Sequence, residues 1–127
     1  VYPVGAHLDE RVSRGDCAVS ARMPWVNGSA LAVRLESLYD IGVMDENYFL
    51  FCSDADWCYT ARARGWEVWY CATADCIHET GVSTHLTAAT QKYLPRDQAY
   101  WCTKWAGSEL HRRLNMEFGL SGLNFVQ

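Results

Sequence analysis

Basic residues are scarce in this 127-residue sequence, and they are not clustered. Lys and Arg number 11 against 15 Asp and Glu, so the formal net charge is −4 with neutral His. We expect no nucleic-acid partner, because phosphate binding needs a basic face. We also expect no membrane span, because no apolar stretch approaches the roughly 18 residues that a spanning helix needs. The N-terminus shows no basic, then apolar, then small-residue leader.

The six cysteines lack the spacing of a metal site. They lie at positions 17, 52, 58, 71, 76 and 102, without a Cys-x-x-Cys pair. Cys71, Cys76 and His78 are close in sequence, but C-x4-C-x-H is not a usual zinc-ligand spacing. A disulfide scaffold is typical of smaller secreted chains. We therefore expect reduced cysteines that act as small buried hydrophobic residues, in a reducing, cytoplasmic compartment.

The composition is that of a folded α/β protein. Hydrophobic residues make up 50% and charged residues 20% of the chain, whose length suits a single domain over residues 1–127. Residues 28–33 are small and apolar, which predicts a buried strand. Residues 66–71 are rich in strand-forming side chains. Together they predict a small mixed sheet with flanking helices.

Helix signals surround these strands. Residues 35–41 have near-helical apolar spacing, and residues 53–65 form an uninterrupted run; a glycine marks the end of each. Ser53-x-x-Asp56 resembles a capping box, so we predict Ser53 as the N-cap and Asp56 as a first-turn acid. The tail is predicted to hold helices over residues 84–93, 95–106 and 108–118.

Five linked motifs resemble one protein family. In chain order they are Trp25-Val-Asn-Gly-Ser-Ala-Leu-Ala-Val-Arg34, Ile41-Gly-Val-Met-Asp-Glu-Asn-Tyr-Phe-Leu-Phe51, Ser53-Asp-Ala-Asp56, Gly65-Trp-Glu-Val and His78. Their order and gaps over residues 24–85 resemble the acceptor-side half of inverting family 2 glycosyltransferases, especially the rhamnosyltransferase-like branch. More weakly, Tyr93-Leu-Pro-Arg-Asp-Gln resembles a helix of that family with an aromatic residue and then Arg-Asn.

The resemblance implies a partial GT-A fold and a sugar-transfer activity. The reaction would be an inverting transfer of a hexose or deoxyhexose from a nucleotide-sugar to a saccharide or lipid-linked acceptor. Residues 1–24 would be an irregular lead-in, residues 25–85 the core and residues 86–127 a helical tail. The donor-binding half of such enzymes does not fit before Trp25. We therefore expect the C-terminal part of an enzyme or a free-standing relic, inactive by itself.

Site roles follow from the same resemblance. Asp54 corresponds to the catalytic base that removes the proton of the acceptor hydroxyl. The alternative is an ordinary first-turn acid that stabilises a helix. Trp25, Gly28, Ser53 and Asp56 are expected to contact substrate, and Ser53 stands where the family has Glu.

His78 lies where the family often has a histidine that reaches the donor diphosphate or its metal. The ion would be Mn²⁺ or Mg²⁺, and we expect it only together with a donor-binding half. The alternative is a histidine at a strand end that bonds to backbone. The other histidines, at positions 7, 85 and 111, are expected on the surface.

Two further functions stay open. The chain could be a non-catalytic module that binds sugar or oligomerises, or a structural remnant without a ligand. Its six tryptophans are numerous for this length, and aromatic faces stack on sugars. We expect most of them in the core or over a surface left bare by a missing partner. Because exposed sheet edges and apolar patches are normally covered, we expect a homo-oligomer.

Overall fold

Four helices and one short sheet make up the part of the chain that the structure describes. The structure is a computed structural model, and it describes residues 19–76, 90 and 92–119. This mixture of helix and sheet is consistent with a partial α/β domain. The elements are β1 (Ala21–Arg22), a 3-10 turn (Gly28–Ala30), α1 (Leu35–Ile41), α2 (Ser53–Ala63), β2 (Trp69–Tyr70), α3 (Leu94–Trp105) and α4 (Glu109–Glu117).

The sheet is smaller than the sequence predicts. Strands β1 and β2 run antiparallel, with Ala21 opposite Tyr70. The expected mixed sheet is wrong for the described residues, and the strand over residues 66–71 shrinks to two residues. Beyond β1 the Met23 N–H still donates to the Val68 carbonyl at 2.8 Å, and the Arg62 guanidinium bonds the Met23 carbonyl.

The predicted strand over residues 28–33 is wrong. This segment begins as the 3-10 turn and continues as extended backbone that pairs with neither described strand. Asn27 starts the turn, since its Oδ1 accepts the Ser29 N–H at 2.9 Å. Asp54 Oδ2 accepts the Gly28 N–H at 2.9 Å. Because side chains take these two amides, local hydrogen bonding replaces sheet pairing.

Glycines end the first two helices, as predicted. Gly42 follows α1 and Gly65 lies two residues beyond α2, and each has a φ of 87°. Glycine adopts this left-handed region without the steric cost that a Cβ brings. Because Gly65 has this non-helical backbone conformation, α2 ends at residue 63, two residues before the end of the predicted helix over residues 53–65.

The start of α2 differs from the predicted capping box. Cys52 is the N-cap residue, with a φ of 63°, and no side chain caps the helix. Ser53 is therefore already helical, and the prediction that it is the N-cap is wrong. A capping side chain must lie outside the helix to reach the amides of the first turn. The left-handed turn at Cys52 moves that position one residue back.

The two tail helices confirm the predictions over residues 95–106 and 108–118. Pro95 lies in the first turn of α3, where its missing N–H needs no partner. Ser108 caps α4, because its Oγ accepts the His111 N–H at 3.0 Å. The helix predicted over residues 84–93 falls mainly outside the described residues.

The core forms around α2. Tyr59 on α2 meets Trp101 on α3 edge to face, with ring centroids 5.2 Å apart. Leu114 brings α4 onto the same cluster and is 1% exposed. One aromatic cluster therefore joins the middle of the chain to its helical tail. Its buried members are Tyr48, Ala55, Tyr59, Trp101 and Leu114.

His111 belongs to this core, so the prediction that it is a surface residue is wrong. It is 6% exposed. Its Nδ1 lies 3.1 Å from the Tyr59 hydroxyl, and its Nε2 lies 3.1 Å from Asn115 Nδ2. Position 111 precedes Leu114 by three residues, which places both side chains on the face of α4 that packs against α2.

The cysteines only partly follow the prediction. Those within the described ranges, at positions 52, 58, 71, 76 and 102, form no disulfide bond. Cys58 is buried on α2, but Cys71 and Cys76 are exposed because they follow the end of the short sheet. The prediction of buried cysteines is therefore wrong for these two.

Helix α1 turns apolar side chains toward solvent. Leu35 is 58% and Tyr39 81% exposed, whereas Ser37 is buried. The Ser37 hydroxyl tolerates burial because it donates to the Arg34 carbonyl at 2.7 Å. This arrangement reverses the usual pattern of a surface helix.

Within the described ranges, no helix combines the length and apolarity needed to cross a membrane.

Candidate functional site

Asp54 sits where the first turn of α2 meets the 3-10 turn. Its Oδ2 accepts the Gly28 N–H at 2.9 Å, and its Oδ1 accepts the Ala55 N–H at 2.8 Å. The residue is half-buried. A carboxylate oxygen has two acceptor positions, and these bonds use one on each oxygen. The carboxylate is thus fixed in place and can still accept a further proton or hydrogen bond.

Gly28 is needed for this contact. A Cβ at position 28 would lie 3.2 Å from Asp54 Cβ and 3.6 Å from Asp54 Oδ2. Any larger residue would therefore require Asp54 or the 3-10 turn to shift by a few tenths of an ångström. The close approach of backbone at Gly28 is to a side chain of this chain. The predicted contact of Gly28 with substrate stays a prediction.

Asp56 points into the protein. It is 2% exposed. Its Oδ1 accepts from the Tyr48 hydroxyl at 3.0 Å and from Trp105 Nε1 at 2.6 Å. Its Oδ2 pairs with Lys104 Nζ at 2.9 Å. Asp56 lies in the first turn of α2, as predicted. Its carboxylate acts as a hydrogen-bond partner that joins α2 to α3, and it does not cap its own helix.

A second carboxylate, that of Asp45, lies in the same polar cluster. The cluster consists of Asp45, Tyr48, Asp56, Tyr100, Lys104 and Trp105. Asp45 Oδ2 accepts from the Tyr100 hydroxyl at 2.9 Å and lies 3.2 Å from Lys104 Nζ. The Asn47 backbone N–H, together with further bonds from Asn47, Tyr100 and Lys104, outweighs burial and holds the pKa of Asp45 well below its usual range. Burial by itself would lower the pKa of Lys104. The bonds to Asp56 and Asp45 together have a larger, opposite effect, so the pKa of Lys104 lies above its usual value. Asp45 and Lys104 thus stay ionised at neutral pH.

The hydroxyl in this cluster is held protonated. Burial and the neighbouring Asp56 carboxylate raise the pKa of Tyr48 far above its ordinary value. The Tyr48 hydroxyl therefore remains a donor to Asp56. A ring contact supports the same arrangement, with Tyr48 and Tyr100 centroids 4.9 Å apart.

The remaining predicted site residues differ in where they lie relative to Asp54. Trp25 is half-buried and packs against the hydrophobic core. Ser53 is half-buried beside Asp54. His78 lies outside the described residues. Their predicted contacts with substrate and metal stay predictions. Within residues 19–76, 90 and 92–119, no group of three or more His, Cys, Asp or Glu could hold a metal ion.

An open apolar groove lies further along the same face of α2, where Trp57, Cys58 and Ala61 follow Asp54 by three, four and seven residues. Its volume is about 190 Å³, and Asp54 is not among the residues that line it. Polar atoms enter the groove from Arg34, Ser37 and Glu67. The Trp69 indole N–H donates to Glu67 Oε2 at 3.0 Å and leaves the ring 51% exposed. The main apolar lining residues are Leu31, Val33, Trp57, Trp66 and Trp69.

Sequence reasoning missed the residues that hold this region together. Asp97 and Lys104 lie on α3 and reach residues some 50 positions earlier in the chain. A signal was present in the spacing of positions 93, 97, 100 and 104, which share one face of a helix. On that face, an acidic and a basic residue alternate with two tyrosines. The resemblance includes Asp97 in the motif Tyr93-Leu-Pro-Arg-Asp-Gln, but it assigns no role to Asp97 or Lys104.

Comparisons with known proteins point in one direction. Two curated relatives, from Mycobacterium tuberculosis strains CDC 1551 / Oshkosh and ATCC 25618 / H37Rv, are both named N-acetylglucosaminyl-diphospho-decaprenol L-rhamnosyltransferase. Each is 33% identical over 79 residues, which cover 62% of this chain and 24% of the relative. The chain therefore spans about a quarter of the length of these relatives.

Other comparisons add no further relative. No protein-family model matches the chain. No solved structure matches it at a significant level. The similarity to the two rhamnosyltransferases therefore supports a distant, glycosyltransferase-like relationship.

Proposed function

We propose that this chain is the acceptor-side part of an inverting glycosyltransferase. The observation that supports it most is the 33% identity to two rhamnosyltransferases over 79 residues. The activity requires a donor-binding half, which we propose brings the nucleotide-sugar and a Mn²⁺ or Mg²⁺ ion. We propose L-rhamnose as the sugar and a lipid-linked, diphosphate-bound saccharide as the acceptor, by analogy with the name of the relatives. The comparisons do not favour a non-catalytic module.

Asp54 is the proposed base. In an inverting transfer, the acceptor hydroxyl attacks the anomeric carbon from the face opposite the leaving nucleoside diphosphate. The hydroxyl proton goes to a carboxylate, and the bond between the anomeric carbon and the diphosphate breaks. Asp54 suits this role because both oxygens are held by backbone N–H groups and each keeps an acceptor position. Asp56 does not, since three donors already occupy its carboxylate.

A transfer assay tests this proposal. The chain, in its natural protein with a donor-binding half, is given nucleotide-activated L-rhamnose and an N-acetylglucosaminyl-diphospho-polyprenol. We expect transfer with inversion at the anomeric carbon. Asp54→Asn keeps the shape of the side chain but removes the proton acceptor. It should lower kcat by roughly 10²- to 10⁴-fold and leave donor affinity nearly unchanged.

The matched control is Asp75→Asn, which changes an exposed carboxylate outside the site. It should retain the full rate. Unchanged turnover in Asp54→Asn would mean that Asp54 is not the base. Transfer of no sugar from any nucleotide-sugar donor would contradict the proposed function itself.

A further inference from the structure

We propose that Asp97 on α3 is a positioning residue for Asp54, acting through the loop of residues 45–52. The inference rests on the proposed function, because it concerns the geometry of the proposed base. Asp97 is 0% exposed. Its Oδ2 accepts three successive backbone N–H groups, from residues 49, 50 and 51, at 3.1, 3.0 and 3.0 Å. A buried carboxylate with three amide donors is a strong, directional anchor.

The same face of α3 holds the beginning of the loop. Arg96 Nη2 donates to the Asn47 carbonyl at 3.0 Å, and the Tyr100 hydroxyl donates to Asp45. The Phe49 ring stacks on Tyr93, with centroids 3.9 Å apart. These contacts fix the loop on one rigid helix. Asp97 alone satisfies the backbone amides at the end of the loop that leads into α2.

Only a short stretch of chain separates the amides of residues 49–51 from Asp54. Residue 51 is followed by Cys52 in its left-handed conformation, whose carbonyl accepts the Asp56 N–H at 2.8 Å. The helix therefore begins at once, and Asp54 lies in its first turn. On its other side Asp54 Oδ2 accepts the Gly28 N–H at 2.9 Å, and a hydrogen bond of this length weakens when donor and acceptor move apart. Movement of amides 49–51 must therefore change the Asp54–Gly28 hydrogen bond.

The geometry also predicts which substitution can replace Asp97. A single oxygen, Oδ2, takes all three amide bonds, while Oδ1 adds only a second contact at 3.2 Å to the Phe49 N–H. The amide oxygen of Asn can occupy the position of Oδ2. Ala offers no acceptor and leaves the three N–H groups without the carboxylate that holds them. Asn should therefore rescue the position, whereas Ala should not.

The test uses the Gly28 backbone amide as a reporter in the 127-residue chain. We expect its proton to resonate downfield because it donates to the Asp54 carboxylate, and Asp54→Asn gives the reference position without that carboxylate. In Asp97→Ala the Gly28 signal should move toward the Asp54→Asn position. In Asp97→Asn it should stay close to the wild-type position. Leu114→Val, a core change on α4, controls for lower stability and should leave the signal unmoved.

Several outcomes would overturn the proposal. An unmoved Gly28 signal in Asp97→Ala would do so, as would an equal shift in Leu114→Val. If Asp97→Ala does not fold, native-state hydrogen exchange of the wild-type chain decides. The amides of residues 49–51 and of Gly28 should open together, with the same denaturant dependence. Independent opening of Gly28 would refute the coupling.

This readout is separate from catalysis. A failure of the base assignment appears as unchanged turnover in Asp54→Asn. A failure of the positioning role appears as a Gly28 signal that does not respond to Asp97. The two results come from different measurements and are therefore distinguishable.

Discussion

Asp54 and Asp56 lie two residues apart on α2 and have opposite surroundings. Residues at this spacing point to different sides of a helix. Asp54 faces the 3-10 turn and meets backbone amides, while Asp56 faces α3 and meets a tyrosine, a lysine and a tryptophan. The same residue type therefore serves a candidate site in one position and the packing of helices in the other.

The first residue-scale prediction concerns Asp56. Asp56→Ala should lower the free energy of unfolding by about 3 kcal/mol, because it leaves the Tyr48 hydroxyl and the Trp105 N–H without their acceptor and Lys104 with one carboxylate instead of two. Urea denaturation measures the change. Glu109→Ala is the control, since its ion pair with Arg112 is exposed and should contribute less than about 0.5 kcal/mol. Equal effects of the two substitutions would contradict the buried cluster.

The second residue-scale prediction concerns His111 and pH. Burial lowers the pKa of His111 below its usual 6.5. Above that value His111 is neutral in both states, so it adds no pH dependence. Below it the unfolded chain binds a proton that the folded chain resists. The free energy of unfolding should therefore fall as the pH drops from 6.5 toward the folded-state pKa, by at most about 1.4 kcal/mol per pH unit from this residue.

Urea titrations at pH 7.5 and 5.5 measure this dependence. His111→Gln removes the titrating ring and should lose this part of the slope, even though it is less stable overall. The other histidines remain in both proteins and cancel in the comparison. The same slope in wild type and His111→Gln would show that His111 is not buried in its neutral form.

At the scale of elements, the helix starts differ in how they are capped. Ser108 lies outside α4 and accepts an amide of the first turn, whereas Ser53 is already inside α2. The two serines follow similar sequence signals. What separates them is the left-handed residue before Ser53, which the sequence presents as an ordinary cysteine.

A pair of substitutions tests this difference. Ser108→Ala should lower the free energy of unfolding by about 1 kcal/mol, and Ser108→Asp should restore it. Ser53→Ala should change it by less than about 0.5 kcal/mol, because no cap is lost. Thermal or urea unfolding gives both values. A larger loss in Ser53→Ala than in Ser108→Ala would reverse the capping assignment.

For the whole molecule, the apolar face of α1 is the main feature without a described partner. Leu35 and Tyr39 on α1 are 58% and 81% exposed, and Val43, which follows the helix, is 76% exposed. Large apolar side chains that are exposed close together along the chain are typical of an interface. Self-association of this chain therefore remains our prediction.

Sedimentation at high micromolar concentration tests the oligomeric state. The wild-type chain should sediment above its monomer mass of 14.4 kDa. The double substitution Leu35→Ser and Tyr39→Ser should return it to a monomer. Met116→Ser, which changes an isolated side chain on α4 that is 85% exposed, should have no effect. A wild-type chain that sediments as a monomer would contradict the prediction.

The sequence determined the features that depend on neighbouring residues. The helices over residues 35–41 and 95–106 follow from apolar spacing, and Gly42 and Ser108 follow from the chemistry of helix ends. The sequence also pointed to Asp54 and to a glycosyltransferase-like relationship through ordered motifs. Each of these signals is contained within a few adjacent positions or in their order along the chain.

Only the tertiary structure decided which distant groups meet. The carboxylate of Asp54 takes an amide 26 residues away, which turns a predicted strand at Gly28 into a 3-10 turn. Asp97 takes three amides 46 to 48 residues away. Burial of His111 likewise depends on Tyr59, which lies on another helix. Propensity and periodicity describe one segment at a time, whereas a buried polar group is satisfied by whichever partner the packing brings within hydrogen-bond distance.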